Sequence, residues 1–456
     1  MGNGSLSPQD VARAGLCIGC GACAAGRGAM GWDAYGQLKP RGDWARRSAP
    51  DFTRICPFSP EAADEDAIAR NRLGISRHHD GRLGQFETAY VGHAAQGGFR
   101  EIGSSGGMVT WVADELLARG LVDGVAHVVP ADPQADGRFF AYRISRSAEE
   151  LREGARSRYY PVEMSGVLEQ IRSEPGRYAV VGVPCFIKAV QLLRLQDPIL
   201  QERIAYTLGL FCGHMKSARF AESFAWQLQA PIGDVRAVEY RRKDPGRPAN
   251  WYTAHLTLAD GSARWQDWWH LADGDWGAGF FQNSACDYCD DVVSETADIA
   301  FGDAWVEPYS SDGRGTNVVL VRNPDLGILV TQAMAEGRLA LEEVDAEFVA
   351  QTQAAGFRHR REGLAYRLCF SPPALPLSKR VTKSRDLPLR RKLVYRMRRR
   401  IAADGHRVFA LARSAGMPWF YLRWARASKH VYEALAYLRG PLGRLLARFD
   451  GSADAR

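Results

Sequence analysis

Three cysteines at two-residue intervals, Cys17, Cys20 and Cys23 in GLCIGCGAC, and a later Cys56-Pro57 pair give the sharpest chemical signal in the chain. Thiolates so close together wrap around a compact inorganic cluster, and the glycines between them let backbone amides approach its sulfides. The bacterial ferredoxin run continues with a fourth cysteine and a proline four positions on. Here that position is Arg27, and Cys56 stands in for it as the distant fourth ligand. The spacing predicts one [4Fe-4S] site on Cys17, Cys20, Cys23 and Cys56. Structural zinc is the alternative, although zinc sites favour two separated CxxC pairs over a triple.

A second group of thiols is dispersed. Two apolar, strand-like runs, AVVGV and IAYTLGLF, stop at Cys185 and Cys212, and helix-compatible segments follow each. Repeated strand-then-helix units imply parallel neighbours in one sheet, whose sites gather at the carboxyl ends of the strands. Two thiols at one sheet edge read as a redox pair, half of a metal site, or unrelated buried cysteines. Downstream, Cys286-Asp-Tyr-Cys289 would complete four thiolates. Cys369 is left over as an ordinary thiol.

Other candidates sit on loops. Gly103-Ser104-Ser105-Gly106-Gly107 opens an amphipathic helix, MVTWVADELLARG, whose exposed amides suit a phosphate or the polar edge of a flavin. In GARSRYY, Arg156 and Arg158 flank Ser157 and are placed to grip a diphosphate; a solvated loop is the alternative. Asp303 ends the strand-like run ADIAF, where sheet sites collect. Between these units, Val235 to Trp265 reads as antiparallel strands with Asp260-Gly261 at a turn. Trp265, Trp268, Trp269 and Trp276 lie over a planar cofactor or simply pack a hairpin.

At 456 residues the chain exceeds one small domain. Nine cysteines without a leader argue for a reducing compartment. MGNGSLSPQD has neither a basic n-region nor an apolar h-region, and no apolar run is long enough to span a bilayer, so a cytoplasmic protein is expected. The net charge of +7 is uneven: from Lys379 to Arg448 nineteen basic residues face three acids, leaving the remainder at −9. Leu377 to Pro388 reads as a linker.

The runs EIGSSGGMVTWVADELLARGLVDGV, VVGVPC, GLFCGH and CDYCDDVVSETADIAFGDAW occur in an order that resembles the beta subunit family of coenzyme F420 hydrogenases and dehydrogenases. That family includes 7-hydroxymethyl chlorophyll a reductase-like members. The likeness covers about Gly15 to Asn323. It implies an iron-sulfur flavoprotein oxidoreductase with two [4Fe-4S] clusters and FAD, moving electrons between a ferredoxin-like donor and a two-electron acceptor, coenzyme F420 or a related planar substrate. Carried over by residue, Cys185, Cys212, Cys286 and Cys289 hold the catalytic domain's own cluster. Ser104, Ser105, Gly106, Gly107 and Thr110 contact the flavin, with Ser157, Arg158 and Tyr159 in a second flavin segment and Asp303 at the strand end. Lys188 and His214 are the candidate catalytic side chains, for stabilising charge and donating a proton.

The expected architecture is α/β: a mostly parallel sheet in a flavin domain (73–376) with an antiparallel insertion, a small ferredoxin-like module (1–72) and a basic helical tail (377–456). Leu389, Leu393 and Met397 form one face of the tail's first helix, with arginines around it. This composition fits docking on an anionic membrane surface or a partner protein, and equally a helical cap on the acidic body. No nucleic acid is expected, because no base-reading motif is present. The alternatives to an enzyme are a non-catalytic electron-transfer subunit and a zinc-stabilised binding protein.

Overall fold

The structure, a computed structural model, describes residues 6–370 and 373–449. Residues 1–5, on which the leader reading partly rests, residues 371–372 of the expected flavin domain and residues 450–456 of the tail lie outside the described residues.

Eight strands form the central sheet: β1 (Thr88–Ala94), β2 (Gly124–Pro130), β3 (Phe140–Ser145), β4 (Tyr178–Gly182), β5 (Ile204–Leu210), β6 (Ile299–Asp303), β7 (Asn317–Val321) and β8 (Leu339–Val344). Their spatial order is β8-β1-β7-β6-β5-β4-β2-β3. The run β2-β4-β5-β6 is parallel, as strand-helix-strand connections require. The pairs β2-β3, β6-β7, β7-β1 and β1-β8 are antiparallel. The sheet is therefore mixed and not mostly parallel. Segments 131–139 and 304–316 carry no crossover α-helix, so each brings its strand straight back beside its predecessor.

Helix α1 (Met108–Ala118) buries Met108, Trp111, Val112 and Leu116 on one face of the sheet, against Ala179 and Val181 of β4. Helix α2 (Pro184–Arg194) buries Phe186 and Val190 on the other face, against Val180. Strand β4 thus alternates between two covered faces, which is why its sequence reads as a continuous apolar run. Pro184 starts α2 at its first turn, where a missing N–H costs nothing, and so places Cys185 at the carboxyl end of β4. The insertion is a three-stranded antiparallel sheet, Val235–Glu239, Thr253–Leu258 and Ala263–Asp267, in agreement with the sequence.

The N-terminal segment contains a helix, Pro8–Arg13, started by a reciprocal cap between Ser7 and Asp10, then a hairpin of Ala29–Trp32 with Leu38–Arg41. Its Leu16, Ile18, Phe52 and Ile55 share one apolar core with Phe186 and Val190.

The tail forms helices α3 (Leu389–Ser414), α4 (Pro418–Tyr437) and α5 (Gly440–Phe449). The buried stripe of α3 is Val394, Arg398, Ile401, Gly405, Phe409 and Ala412. The face read from sequence is a different one: Leu389 is 71% exposed and Leu393 37% exposed, and only Met397 of the three packs on the core. Phe409 stacks on Trp226 of the body with ring centroids 4.2 Å apart, and Tyr421 of α4 lies 5.0 Å from Phe409. Burying such rings stabilises by about 1.5–3 kcal/mol each, so α3 and α4 are docked as a cap. The connecting segment is no loose linker either. Lys379 pairs with Asp290 at 3.1 Å, and Arg380 pairs with Glu295 and with Asp66.

Candidate redox site

The first thiol set lies in a small apolar cradle made by Val11, Leu16, Ile18, Phe52, Ile55 and Phe58 around Cys17, Cys20, Cys23 and Cys56. Gly19 and Gly21, at φ +81° and +80°, turn the chain so that these neighbouring cysteines face one space. The backbone amides of Ala22 and Phe58, beside Cys20 and Cys56, favour the anionic form of each thiol. Burial pushes Cys20 up to about 12 and also raises Cys23 and Cys56, and Cys17 and Cys20 add like-charge repulsion to Cys23 and Cys56. Four thiols that repel one another as anions, with amides beside them that favour that form, fit a positively charged iron core that takes up that charge. Among the described residues no three of His, Cys, Asp or Glu close around a single metal ion.

The second set comes from three elements: Cys185 at the start of α2, Cys212 just past β5, and a short 3-10 turn, Ser284–Tyr288, that has Cys286 at its middle and Cys289 just past its end. Cys185 is raised well above the ordinary thiol value, by burial and then by Cys289, Cys212, Cys286 and Cys20. The two thiol sets are therefore electrostatic neighbours. The Met215 amide donates to Cys286 Sγ at 3.3 Å. Arg360, 2% exposed, donates to Cys289 Sγ and to the carbonyls of Asp291 at 2.7 Å and of Cys212 and Gly213 at 2.9 Å. The donor set again fits a cluster, with Arg360 as its counter-charge. Nothing in the local sequence marks Arg360, because its run RHRREG reads as solvated surface.

Cys212 also lines a cavity of about 920 Å³, at the upper end of the size range of ligand pockets. Both glycine- and serine-bearing loops meet on its wall: the Ser157 amide donates to Ser104 Oγ at 3.0 Å. Ser105, Gly107, Thr110 and Tyr159 line it as well. Gly106 does not. A Cβ there would fall 2.7 Å from the Gly92 carbonyl and 2.8 Å from the Asn317 amide, so this glycine packs the loop on β1 and β7. Lys243, which no sequence motif marks, holds the loop from behind, donating to the carbonyls of Ser105 at 2.8 Å, Arg314 at 2.6 Å and Arg100. Burial lowers its ammonium to about 8.

The two arginines expected to grip a diphosphate both line the cavity beside Ser157. Arg156 pairs with Glu239, and the Arg158 guanidinium lies 4.9 Å from the Phe140 ring centroid. Asp303 lines the cavity but is no free acid: Arg241 holds both its oxygens, at 2.8 and 3.1 Å, and rests on Tyr252 and Trp305.

Of the two catalytic candidates, His214 reaches the cavity and Lys188 does not. His214 is stacked on Trp276 with centroids 4.2 Å apart and takes a hydrogen bond at Nδ1 from Arg398 at 3.2 Å. Lys188 is buried, paired with Glu65 at 3.0 Å near Cys56. The pairing with Glu65 holds its ammonium toward the first thiol set. Among the tryptophans, Trp268, Trp269 and Trp276 line the cavity, whereas Trp265 is 58% exposed.

Two family models match the chain and together cover more than half of it. Both describe the coenzyme F420 hydrogenase/dehydrogenase beta subunit: the model of its N-terminal part matches residues 89–169, and the model of its C-terminal part matches residues 176–347. Among solved structures, a chain of the F420-reducing [NiFe] hydrogenase complex from Methanosarcina barkeri, studied by xenon derivatization, is similar at 18% identity. The TM-score is 0.50, with 66% of this chain and 99% of that chain covered. At that identity the likeness is one of fold. No curated protein matches.

Proposed function

This chain belongs to the coenzyme F420 hydrogenase/dehydrogenase beta subunit family, and from that premise we propose that it is an iron-sulfur flavoprotein passing electrons between a ferredoxin-like donor and a two-electron acceptor. The observation that carries this reading is the double membership of Cys212, at once one of the second four thiols and part of the cavity wall. Cys20, near Cys185, links the first set to the second. The residues thus line up as a route from the N-terminal segment to the cavity.

Cys17, Cys20, Cys23 and Cys56 would hold one [4Fe-4S] cluster and Cys185, Cys212, Cys286 and Cys289 another, with FAD against Ser104, Ser105, Thr110, Ser157 and Tyr159. When bound, the clusters supply single-electron steps and the flavin joins these to a two-electron exchange. The chain's own work is placement. Trp276 and Tyr159 limit the space for a planar ring, and the apolar wall excludes water. Arg360 offsets thiolate charge, and His214 is the side chain positioned to hold a proton. Coenzyme F420 or a related planar compound is the proposed substrate, and a division at 72/73 and 376/377 is the proposed domain plan. Among the described residues no helix is long and apolar enough to cross a membrane. Peripheral attachment to an anionic surface through the tail, at the inner face of the membrane, is part of the proposal.

Anaerobic purification with iron, sulfide and flavin analysis tests it. About eight irons and one FAD per chain are expected; colourless, zinc-containing protein would sink the reading. Turnover of the isolated protein with dithionite and candidate acceptors then distinguishes an enzyme from a relay subunit.

A further inference from the structure

A buried chain of ion pairs joins the two thiol sets. Lys188 Nζ, three residues past Cys185 in sequence, lies 3.0 Å from Glu65 Oε1, and both side chains are buried. The other oxygen of Glu65 faces Arg380 Nε at 3.7 Å. Arg380 also reaches Asp290 Oδ2 at 3.6 Å, Asp66 Oδ1 at 3.0 Å and both oxygens of Glu295. Asp290, next to Cys289, pairs in turn with Lys379, whose ammonium lies 5.8 Å from the ring centroid of Phe58, two residues past Cys56. The chain therefore runs Lys188, Glu65, Arg380, Asp290, Lys379, and it occupies the space between the first set and the second.

Its charges balance, so the place of each one matters more than the total. Lys188, Lys379, Arg380 and Arg361 face Glu65, Asp66, Asp290 and Glu295, four against four. Lys188 favours the thiolate of Cys56, and Glu163 opposes that of Cys20. At Cys289 the cations are Arg360 and Lys379, and the opposing acids are Asp291 and Asp290. An iron-sulfur cluster gains one negative charge when it is reduced, so a buried cation beside its thiolates favours the reduced form and a buried anion opposes it. Burial keeps these effects from being screened away by solvent and salt.

We propose that Lys188 and Lys379 are positioning residues that place a fixed positive charge beside each thiol set, Lys188 favouring reduction of the first cluster and Lys379 that of the second, with Arg380 holding the carboxylates between them. The inference rests on both thiol sets holding iron-sulfur clusters, as read above. Glu65, Asp66, Lys379 and Arg380 lie outside residues 89–169 and 176–347, where the family models match. The N-terminal segment and the start of the tail thus meet on the family core at the joint between the two sets. The segment that fastens the tail also sets how readily electrons pass.

Anaerobic redox titration of the full-length, cofactor-loaded protein, followed by electron paramagnetic resonance, tests this cluster by cluster. The signal that Cys20→Ala loses identifies the first cluster. Lys188→Met is expected to make the first cluster at least tenfold harder to reduce, about 59 mV for one electron, and to move the second by less. Lys379→Met is expected to do the reverse. In each variant the carboxylate left behind stays ionised, because Arg380 still faces Glu65 at 3.7 Å and Asp290 at 3.6 Å. Lys188→Arg and Lys379→Arg keep the charge and should restore the wild-type midpoints. Asp290→Asn should make the second cluster easier to reduce, a change of sign that a loss of packing would not give. A smaller shift in a folded methionine variant, a larger shift in the other cluster, or an Asp290→Asn midpoint that is unmoved or harder to reduce would overturn the inference. Where Lys379→Met does not fold, Lys188→Met and Asp290→Asn decide. Protein with fewer than two clusters would overturn the redox reading, and two clusters indifferent to these charges would overturn this inference alone.

Discussion

Lys379 Nζ lies 3.1 Å from Oδ1 of Asp290, one residue past Cys289, and both side chains are buried, at 7% and 2% exposure. The tail is thereby fastened to the motif that carries half of the second thiol set. Removing one partner of a buried pair leaves an uncompensated charge, which costs about 3–5 kcal/mol. Lys379→Met is expected to fall toward the lower end of that range, because the Arg380 amide also donates to Asp290, at 3.3 Å. Chemical denaturation followed by circular dichroism measures it. A change below about 1 kcal/mol would show that the pair holds nothing.

Division of labour between the thiol sets gives a second expectation. Cys20→Ala should lower iron from about eight to about four per chain and block reduction by a ferredoxin-like donor. FAD should stay bound and reducible by dithionite, since the flavin-side loops meet around Ser104 and Ser157, apart from that cradle. Cys286→Ala should also halve the iron while leaving the first cluster reducible. Loss of flavin in the Cys20 variant would mean that the N-terminal segment is structural.

The thiol spacings, the parallel strands that end near Cys185, Cys212 and Asp303, and the antiparallel insertion are legible in the sequence because each depends on residues close along the chain, whereas the antiparallel strands Phe140–Ser145 and Leu339–Val344 carry no such signal. What is hidden depends on tertiary contact. Arg360, Arg367, His359 and Arg398 sit in segments dense with arginine that read as solvated, yet they are buried where carbonyls, a thiol and imidazoles accept from them. Lys188 shows the converse. Its nearness to Cys185 in sequence suggests the crevice, but its ammonium pairs with Glu65. The sheet reads as mostly parallel because sequence marks strands but does not mark which neighbour each one joins.

A pH dependence follows from His406, which ties α3 to the N-terminal segment. Its Nδ1 faces the Ala402 carbonyl at 3.2 Å and its Nε2 faces Gln37 Nε2 at 3.1 Å. Burial, with Lys39 and Arg219 adding to it, lowers its pKa to about 4. An unfolded chain protonates this ring near pH 6.5, so below that pH the unfolded state binds more protons than the folded one. Stability contributed by the neutral ring is complete above about pH 6.5 and is lost as pH falls toward 4, a span of about 3 kcal/mol. Urea melts between pH 7 and pH 4 should show this loss, and His406→Gln should flatten it. An unchanged slope in the variant would assign the acid sensitivity to other groups.

The exposed end of the tail carries the last expectation. At the turn from α3 to α4, Leu411, Met417, Trp419 and Phe420 are 62%, 40%, 60% and 42% exposed, and Leu442 and Leu445 of α5 are 45% and 49% exposed. Arg423 and Arg426 continue the Trp419 face of α4, and neither has an ion pair among the described residues. Aromatic rings beside unneutralised cations suit the headgroup level of an anionic leaflet, where each basic residue contributes on the order of 1 kcal/mol. Deleting the tail is a poor test, because it would strip Phe409 and Tyr421 from Trp226 and Phe281 and unmask the core. Trp419→Ser with Phe420→Ser leaves that packing intact. Wild-type protein is expected to co-sediment with phosphatidylserine-containing vesicles at low salt and to be released by high salt, with little binding to phosphatidylcholine. The double variant should stay in solution. Sedimentation of neither protein would leave the tail as a cap that completes the cavity, and equal sedimentation of both would place the contact on another face of the molecule.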